Sequence, residues 1–386
     1  MITDWPPLNL DVEEFVAEYW QKKPCLIRNA LPGFASVISP EELAGLACEE
    51  DVHCRLVQQG AGPADWSLRY GPFAEQDFLD LPDSNYSLLV SECEKWMPEL
   101  NDLLARFRFI PDWRLDDLMI SYAPAGGSVG PHLDQYDVFL LQALGSRRWQ
   151  YHATPTTDAA TIPGLDLAIL QNFSPQQDVV LEPGDILYLP PGFAHHGVAL
   201  ERCMTYSIGY RAPNAANVLE SFALESERLD IPVERYRDAE LELERHHAEI
   251  TDAEIERFRR MATRMLEHSP GLWRDAVGKM LSDSAVAIPD GEEDQAVSLP
   301  DLLASDWMRH PETRLYFHQS AESIDIYYNG CKLSLPRQVD ILEQLRKLCE
   351  NYAWPRALIH ESIEVPALRE MLLELATKRA ILPLTD

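Results

Sequence analysis

Two histidines and one aspartate stand directly after segments rich in glycine and proline. His132 and Asp134 follow the run 126–131, and His195 follows the turn 190–192. Two imidazoles and one carboxylate can occupy one face of an octahedral metal ion and leave three positions open, as in oxygen-activating non-haem Fe(II) enzymes. The pattern therefore predicts a reactive metal centre with His132, Asp134 and His195 as its ligands.

Simpler explanations exist for each half of this pattern. Because His-x-Asp is common by chance, His132 could cap a turn and Asp134 could pair with Arg147. The second block, Gly-x5-Pro-x-Gly-x2-His, argues against chance. His132 and Asp134 are expected on one face at the start of a strand. Successive strand residues point to opposite faces, so only one of His195 and His196 can be a ligand.

The elements that would position these residues are short strands. Between residues 85 and 210 brief apolar segments alternate with Gly and Pro, which predicts an all-β sandwich or barrel with the ligands at its mouth. The predicted strands are Tyr86–Val90, Leu118–Tyr122, Val138–Leu144, Arg148–His152, Val179–Leu181, Ile186–Leu189 and Met204–Tyr210.

The pattern changes after Pro213. Residues 214–281 have helical periodicity, and residues 282–298 form an acidic, turn-rich linker. The last part contains a hairpin over 324–335 with an Asn329-Gly330 turn, followed by two helices. We therefore predict an α+β protein with three domains: residues 1–213, 214–290 and 291–386, the last resembling a winged helix.

The charge of the chain limits its partners. A formal net charge of −30 disfavours nucleic acid and anionic membranes, which require clustered Lys and Arg, and favours a basic partner or substrate. Residues 299–386 carry ten basic and thirteen acidic side chains, so we expect no direct nucleic-acid binding there. Seven cysteines without a Cys-x-x-Cys pair, and no long apolar stretch, predict a cytoplasmic protein without a membrane segment.

Three segments carry a family resemblance: Asp116–Tyr122, Gly130–Phe139 and Leu181–Phe193. They resemble the Jumonji-C (JmjC, cupin-type) 2-oxoglutarate oxygenases and, more closely, the bacterial ribosomal oxygenases that hydroxylate an arginine of a large-subunit ribosomal protein. The Pro-x-Gly-x-x-His spacing of cupin-type barrels selects His195 as the ligand and leaves His196 as the alternative.

The resemblance implies a fold and a reaction. The fold would be a double-stranded β-helix (jelly-roll, cupin) catalytic domain, a helical dimerisation region and a winged-helix-like C-terminal domain. Fe(II) would bind to His132, Asp134 and His195, with 2-oxoglutarate as cosubstrate and O2 as oxidant. The implied partners are a basic ribosomal protein, as substrate, and a second copy of the chain in a homodimer.

A 2-oxoglutarate oxygenase also needs a cation for the far carboxylate of its cosubstrate. Arg147 matches the family position that carries this Lys or Arg, and an error of one residue in register would exchange it with Arg148. Met119, Ser121 and Ala123 share one face of their strand. Relatives have a small hydroxyl residue near the end of this strand, where Ala123 stands here. That hydrogen bond is therefore expected either to be absent or to move to Ser121 or Tyr122, and we assign it to Ser121.

Acidic residues are expected at the mouth of the barrel. Asp116, Asp117, Tyr136 and Asp137 could together hold a guanidinium group by charge-assisted hydrogen bonds. The alternative is that Asp137 caps a turn and Tyr136 packs.

Two other functions fit the same ligand pattern. One is a Jumonji-type N-methyl demethylase, and the other is a cupin scaffold whose metal site performs no oxygenase reaction. Arg147 favours 2-oxoglutarate binding over the scaffold. Only the family resemblance separates the hydroxylase from the demethylase.

Overall fold

The computed structural model describes residues 7–62, 64–157, 159–228, 234–239, 248–267, 270–284 and 296–384. The chain forms two units, Met1–Ala212 and Pro213–Asp386. Their boundary lies next to the first predicted one. The second predicted boundary, at residue 290, and most of the predicted linker lie outside the described residues, so the three-domain division remains a prediction.

The first unit is a β-structure with short flanking helices. Its helices are α1 (Val12–Glu18), α2 (Pro40–Leu46), α3 (Glu75–Leu79), α4 (Cys93–Trp96) and α5 (Leu100–Leu104). Its strands are β1 (Cys25–Ile27), β2 (Cys54–Gln59), β3 (Trp66–Tyr70), β4 (Tyr86–Val90), β5 (Leu115–Ala123), β6 (Val138–Leu144), β7 (Arg147–Tyr151), β8 (Gln177–Leu181), β9 (Ile186–Leu189), β10 (His195–Ala199) and β11 (Cys203–Tyr210).

These strands form two antiparallel sheets. The larger sheet has eight strands in the order β1-β9-β6-β11-β5-β4-β2-β3, and the smaller has the order β10-β7-β8. Strand β11 lies between β5 and β6, with Thr205 opposite Ser121 on one side and Gln142 on the other. In the smaller sheet His195 lies opposite Tyr151, and Arg147 lies opposite both Ala199 and Leu181.

Residue alternation divides the larger sheet into two faces. In β6, Phe139 and Leu141 belong to the main apolar core on the outer face, whereas Val138 and Leu140 pack with Trp149 of the smaller sheet. Side chains of a strand point alternately to its two faces, so one strand serves both layers. The space between the two sheets is therefore lined by every second residue of each strand.

The turn between β6 and β7 carries the chain from one sheet to the other. Gly145 has φ +58°, and a Cβ atom there would lie 2.2 Å from the carbonyl oxygen of Arg202. Only glycine adopts this positive φ without strain and also lacks the Cβ that would clash with this oxygen. This turn sets the register of β7 and thereby determines that Arg147, rather than Arg148, points between the sheets.

The second unit combines helices with two small sheets. Its helices are α6 (Ala215–Arg228), α7 (Asp252–Glu267), α8 (Pro270–Ser282), α9 (Leu299–Ala304), α10 (Val339–Glu350), α11 (Arg356–Ile363) and α12 (Pro366–Thr377). Its strands are β12 (Trp307–Arg309), β13 (Leu315–Gln319), β14 (Ser323–Tyr328), β15 (Cys331–Pro336), β16 (Ala353–Trp354) and β17 (Ile381–Pro383). The predicted hairpin is confirmed: β14 and β15 are joined at Asn329 and Gly330, which both have positive φ.

Two cores hold this unit together. Helices α6 and α8 pack around Phe222, Leu272 and Ala276. The C-terminal elements bury a larger cluster that includes Trp354 and Leu345. Within the described residues, no helix is both long and apolar enough to cross a membrane.

Candidate active site

The three predicted metal ligands come together on two adjoining segments. His132 forms a β-bridge with His195, with both N–H to O=C distances at 3.0 Å, and the Gly192 amide donates to the Asp134 carbonyl at 2.8 Å. The prediction that His132 and Asp134 lie on a strand is wrong, because only the single bridge at His132 has strand character. The segment 126–134 is an irregular loop, held against the start of β10.

The ligand atoms are close enough to share one ion. One donor atom from each of the three residues lies within 4.8 Å of the others. Asp134 Oδ2 lies 3.5 Å from His195 Nε2 and 3.8 Å from His132 Nε2. Among the described residues, no further His, Cys, Asp or Glu joins this group. The cluster therefore offers three donors to an ion and leaves the other coordination positions free.

Backbone carbonyls orient both imidazoles. His132 Nδ1 lies 2.9 Å from the Gly130 carbonyl oxygen, and His195 Nδ1 lies 3.0 Å from that of Phe193. A carbonyl oxygen only accepts, so each Nδ1 donates and each Nε2 keeps its lone pair for a metal. Burial and the neighbouring His132 lower the pKa of His195 to about 4, which favours its neutral, metal-binding form.

The alternative ligand His196 points elsewhere. It lies opposite Gln150 in the smaller sheet, and its ring lies 6.0 Å from that of Phe173. Burial, followed by the charge of Arg147, lowers its pKa to about 4. His196 is not part of the ligand cluster formed by the described residues.

Arg147 is a buried cation with no acidic partner among the described residues. Its side chain is 3% exposed, Nη2 donates to the Gly197 carbonyl at 3.3 Å, and Nε has no hydrogen-bond partner. Its guanidinium lies 5.0 Å from the centre of the Trp149 ring. Burial lowers the pKa of Arg147. Because an unpaired buried charge is costly, the arrangement fits an anionic ligand that would complete it.

The neighbouring arginine has a different environment. Arg148 is exposed, and its Nε donates to both carboxylate oxygens of Asp178 at 2.8 and 3.0 Å. It therefore points away from the space between the sheets, as strand alternation predicts.

A cavity of about 450 Å³ contains the ligand cluster and Arg147. The larger sheet contributes residues of six strands, alternate ones in β5, β6 and β11, and the smaller sheet contributes Arg147, Trp149 and His195. The lining residues of the larger sheet are Cys54, Arg55, Val57, Tyr70, Leu89, Asp117, Met119, Ser121, Val138, Leu140, Thr205, Ser207 and Gly209. Charged and polar groups thus share the cavity with an apolar wall, as is typical of small-ligand sites.

A long loop closes one side of the cavity. Leu167, Ala168 and Ile169 line it, the Leu170 amide donates to the Pro131 carbonyl at 2.8 Å, and Ile169 packs against Gly130. Gly130 has φ +81°, and a Cβ there would meet Ile169 at 3.0 Å. The glycine-rich segment therefore brings both the ligands and this apolar wall into place.

Of the four residues predicted at the mouth of the cavity, two line it. Asp117 and Tyr136 line the cavity, and burial followed by the charge of Asp116 raises the pKa of Asp117 to about 6. Asp116 is exposed and lies 3.9 Å from Arg211 Nε. The placement of Asp137 at the mouth is wrong.

Asp137 belongs to a buried network instead. Its side chain is fully buried and accepts hydrogen bonds from Gln21 Nε2, Arg114 Nη2 and the Tyr188 hydroxyl, at 2.9, 2.9 and 2.5 Å. The physical reason is the alternation between neighbouring residues: Tyr136 faces the cavity, so Asp137 enters the core behind it.

Ser121 lies at the cavity wall but has a partner already. Its hydroxyl donates to the Thr205 carbonyl at 3.3 Å. Thr205, Ser207 and Trp149 also line the cavity and were missed from the sequence. Thr205, Ser207 and Gly209 are small or polar at every second position of an apolar strand, and this pattern could have identified the inward face.

Comparison with known proteins places this geometry in a family. Residues 102–218 match the JmjC domain. The chain is 35% identical to the ribosomal protein uL16 3-hydroxylase of Escherichia coli, over 95% of each chain. It is 36% identical to a probable ribosomal oxygenase of Haemophilus influenzae, over 85% of this chain and 79% of that one.

A solved structure agrees over nearly the whole length. The E. coli ribosomal oxygenase YcfD in complex with cobalt and 2-oxoglutarate has a TM-score of 0.82 and 32% identity, with 98% of this chain and 99% of that one covered. The predicted JmjC, cupin-type fold is confirmed. On the strength of the ligand cluster, the domain match and this similarity along the whole chain, the protein belongs to the JmjC ribosomal oxygenases.

Proposed function

We propose that this protein is a 2-oxoglutarate- and Fe(II)-dependent dioxygenase that hydroxylates an arginine side chain of a large-subunit ribosomal protein. The observation that supports this most strongly is the convergence of His132, Asp134 and His195 beside the unpaired, buried Arg147. JmjC enzymes use Fe(II), 2-oxoglutarate and O2. We take uL16 as the first candidate substrate, because a relative over 95% of the chain is a uL16 3-hydroxylase.

The donor set fits Fe(II). Two imidazole nitrogens with free lone pairs and one carboxylate form the facial ligand set that non-haem iron accepts. His132, Asp134 and His195 would hold the ion. Bound Fe(II), 2-oxoglutarate and O2 supply the oxidation that inserts one oxygen atom into a C–H bond.

Arg147 would bind the far carboxylate of 2-oxoglutarate. Its free Nε and its position beside the ligand cluster support this role, and a planar guanidinium can bind both oxygens of a carboxylate. Ser121 would add at most one hydrogen bond, shared with its contact to Thr205. The walls of the cavity would exclude water from the reacting atoms.

Asp117 and Tyr136 would recognise the guanidinium of the substrate. Asp117 lines the cavity and forms no ion pair within the described residues, although the charge of Lys95 acts on its carboxylate and lowers its pKa. The apolar wall of Leu167 and Ile169 suits the methylene stem of a long side chain. Together they favour a substrate side chain with an apolar stem and a cationic head.

The rival functions have less support. An N-methyl demethylase would use the same ligand set, but the two relatives described above, which match over most of their length, are a hydroxylase and a probable oxygenase. A cupin scaffold without oxygenase activity gives no reason for a buried, unpaired Arg147.

The remaining parts of the proposal concern assembly and location. We place the enzyme in the cytoplasm, where ribosomal proteins are made, and expect no nucleic-acid or membrane contact. The 214–290 region would pair two subunits, and the C-terminal region, winged-helix-like, would serve protein contacts. Leu219 and Leu224 of α6, and Ile255 and Phe258 of α7, support pairing because each is about half exposed.

Dimerisation can be tested by sedimentation velocity. Ile255→Glu with Phe258→Glu should convert a dimer to a monomer, because charges would be buried at the interface. Leu79→Glu, at a leucine 76% exposed in the first unit, is the matched control and should remain dimeric. A wild-type monomer would contradict the assembly.

The activity itself is tested by mass spectrometry of ribosomal proteins from cells with and without the gene. We expect one large-subunit protein to gain about 16 Da, the mass of one oxygen atom, on an arginine only when the gene is present. Complementation with His132→Ala should fail, and complementation with Arg148→Ala should succeed, because Arg148 is exposed and paired with Asp178. Identical ribosomal protein masses in both strains would refute the proposal.

A further inference from the structure

We propose that Glu92 and Gly209 are positioning residues that fix the carboxylate of Asp117 for binding the guanidinium of the substrate. This inference rests on the proposed function, because it concerns the residue that would recognise arginine there. Glu92 precedes α4, whereas Gly209 lies in β11 beside Asp117. The Glu92 amide contacts one oxygen of this carboxylate, and the missing Cβ of Gly209 leaves space beside the other.

Glu92 holds an unusual backbone conformation. Its φ of 56° and ψ of 35° lie in the left-handed region, which residues with a Cβ seldom adopt and which persists only where surrounding contacts maintain it. Those contacts come from its own side chain: Oε1 lies 2.5 Å from Lys95 Nζ, and Oε2 lies 3.1 Å from His53 Nδ1. His53 also lines the cavity.

The consequence of this conformation is the direction of one N–H group. The Glu92 amide donates to Asp117 Oδ2 at 3.3 Å. An ordinary right-handed or extended backbone at Glu92 would turn this amide in another direction. The ion pairs of the Glu92 side chain therefore maintain the hydrogen bond that holds one oxygen of Asp117.

Gly209 leaves room for the other oxygen. A Cβ at Gly209 would lie 3.1 Å from Asp117 Oδ1, which is too close without a displacement. Gly209 is the next-to-last residue of β11 and lies at the register shift between Ile208 and Tyr210 against β5; glycine in a strand marks such an irregularity or the close approach of another group. Its φ is not positive, so a left-handed backbone does not account for the glycine, whereas the space needed by Asp117 Oδ1 does.

The orientation of the Asp117 carboxylate affects how strongly it can bind a planar guanidinium. A guanidinium binds a carboxylate most strongly when two parallel N–H···O bonds form, and this requires both oxygens in a defined plane. Within the described residues Asp117 forms no ion pair; the Glu92 amide and the space over Gly209 act directly on its two oxygens, while Asp116 and Lys95 act on its charge. Displacing Asp117 should therefore weaken substrate binding more than it slows the chemical step.

Steady-state kinetics with purified uL16 as the probe test this. Gly209→Ala and Glu92→Ala should each raise the KM for uL16 about 10-fold, while kcat changes much less. Glu92→Gly is the discriminating variant: glycine accepts the left-handed backbone, so the amide stays in place and the KM should lie well below that of Glu92→Ala. Equal KM values for these two variants would overturn the role of the Glu92 backbone.

A double-mutant cycle distinguishes an effect of Gly209 that acts through Asp117 from a general loss of structure. If Gly209 acts through Asp117, Gly209→Ala should add nothing to the KM increase of Asp117→Asn. Independent, multiplying effects would overturn the inference and leave the proposed function intact. An unchanged KM in Asp117→Asn would instead remove the guanidinium assignment itself, and the positioning role with it. A crystal structure of Gly209→Ala should show the Asp117 carboxylate displaced, and an unmoved carboxylate would contradict the inference without reference to any substrate.

Discussion

Charged side chains of both signs line the cavity, and within the described residues Arg147 and Asp117 form no ion pair. Arg147 is buried on β7, and Asp117 is half-buried on β5. Since a protein interior stabilises neither charge alone, each residue is explained best by a ligand of the opposite sign. An anionic cosubstrate and a cationic substrate side chain would satisfy both. At the residue scale, Arg147 and Asp117 would thus match the opposite charges of the cosubstrate and of the substrate side chain.

The raised pKa of Asp117 predicts a pH dependence. Burial and then the charge of Asp116 raise this pKa to about 6; the hydrogen bond from the Glu92 amide lowers it, the charge of the Glu92 carboxylate raises it, and the charge of Lys95 lowers it. Only the ionised carboxylate attracts a guanidinium, so the KM for uL16 should fall as the pH rises through about 6 and then level off. KM measured between about pH 5 and 8 checks this.

Asp117→Asn provides the control for that profile. An amide does not titrate, so the inflection near pH 6 should disappear in this variant, and its KM should stay about 10- to 100-fold above the wild-type plateau. The same inflection in both proteins would assign it to another group.

At the scale of elements, the sequence predicts strands most accurately where a mostly apolar segment is buried. The bounds of β4, β6 and β9 agree with the predicted strands residue for residue. Strands β2 and β3 were missed because β3 is an edge strand and residues such as Arg55 and Gln58 break the apolar pattern. Strand β10 was missed because two histidines and a glycine occupy most of it.

The residues of the site also differ in how well the sequence predicted their positions. The segments of His132, Asp134 and His195 were recognisable, because the residue types and the flanking turns are specific. The error at Asp137 has a different origin: its partners Arg114 and Gln21 come from distant segments, and no local pattern reports such a contact. The sequence thus indicated which segments converge at the cavity, but it did not indicate contacts that depend on tertiary packing.

Strand β10 carries a prediction of its own. A Cβ at Gly197 would lie 2.7 Å from the Trp149 ring and 2.8 Å from Arg147 Nε. Gly197→Ala should therefore displace Arg147, weaken 2-oxoglutarate binding about 10-fold and cost about 1–3 kcal/mol of unfolding free energy. Calorimetric titration with 2-oxoglutarate and denaturant unfolding measure the two effects.

Gly45→Ala is the matched control for this substitution. Gly45 lies in α2, nothing lies within 4 Å of its added Cβ, and its φ is not positive. Alanine favours a helix, so this variant should be at least as stable as the wild type. An unaltered 2-oxoglutarate affinity in Gly197→Ala would show that Arg147 tolerates displacement or does not bind the cosubstrate.

At the scale of the whole molecule, charge is the dominant property. The unit Met1–Ala212 has thirty acidic and thirteen basic side chains, and no Lys or Arg occurs between Arg148 and Arg202. Such a surface attracts a basic protein over long range and repels nucleic acid. It suits capture of a free ribosomal protein better than contact with the RNA of a finished ribosome.

Salt should therefore affect the KM for uL16 and the KM for 2-oxoglutarate differently. Raising the salt concentration from about 50 to 500 mM screens long-range attraction, so the KM for basic uL16 should rise by about 10-fold or more. The KM for 2-oxoglutarate, an anion, should not rise, because attraction to the surface does not assist its binding. Parallel increases for both would indicate a general loss of activity in salt.

The most direct test of the metal assignment is anaerobic titration with Fe(II) and 2-oxoglutarate, followed by equilibrium metal analysis and absorbance. We predict one ion per chain and a new absorption band that requires both additions, because a 2-oxo acid can chelate only an ion with open positions. His132→Ala and Asp134→Ala should lose the ion and the band, whereas Arg148→Ala should retain both. Stoichiometric iron binding that survives both ligand substitutions, or iron that gives no band with 2-oxoglutarate, would contradict the account.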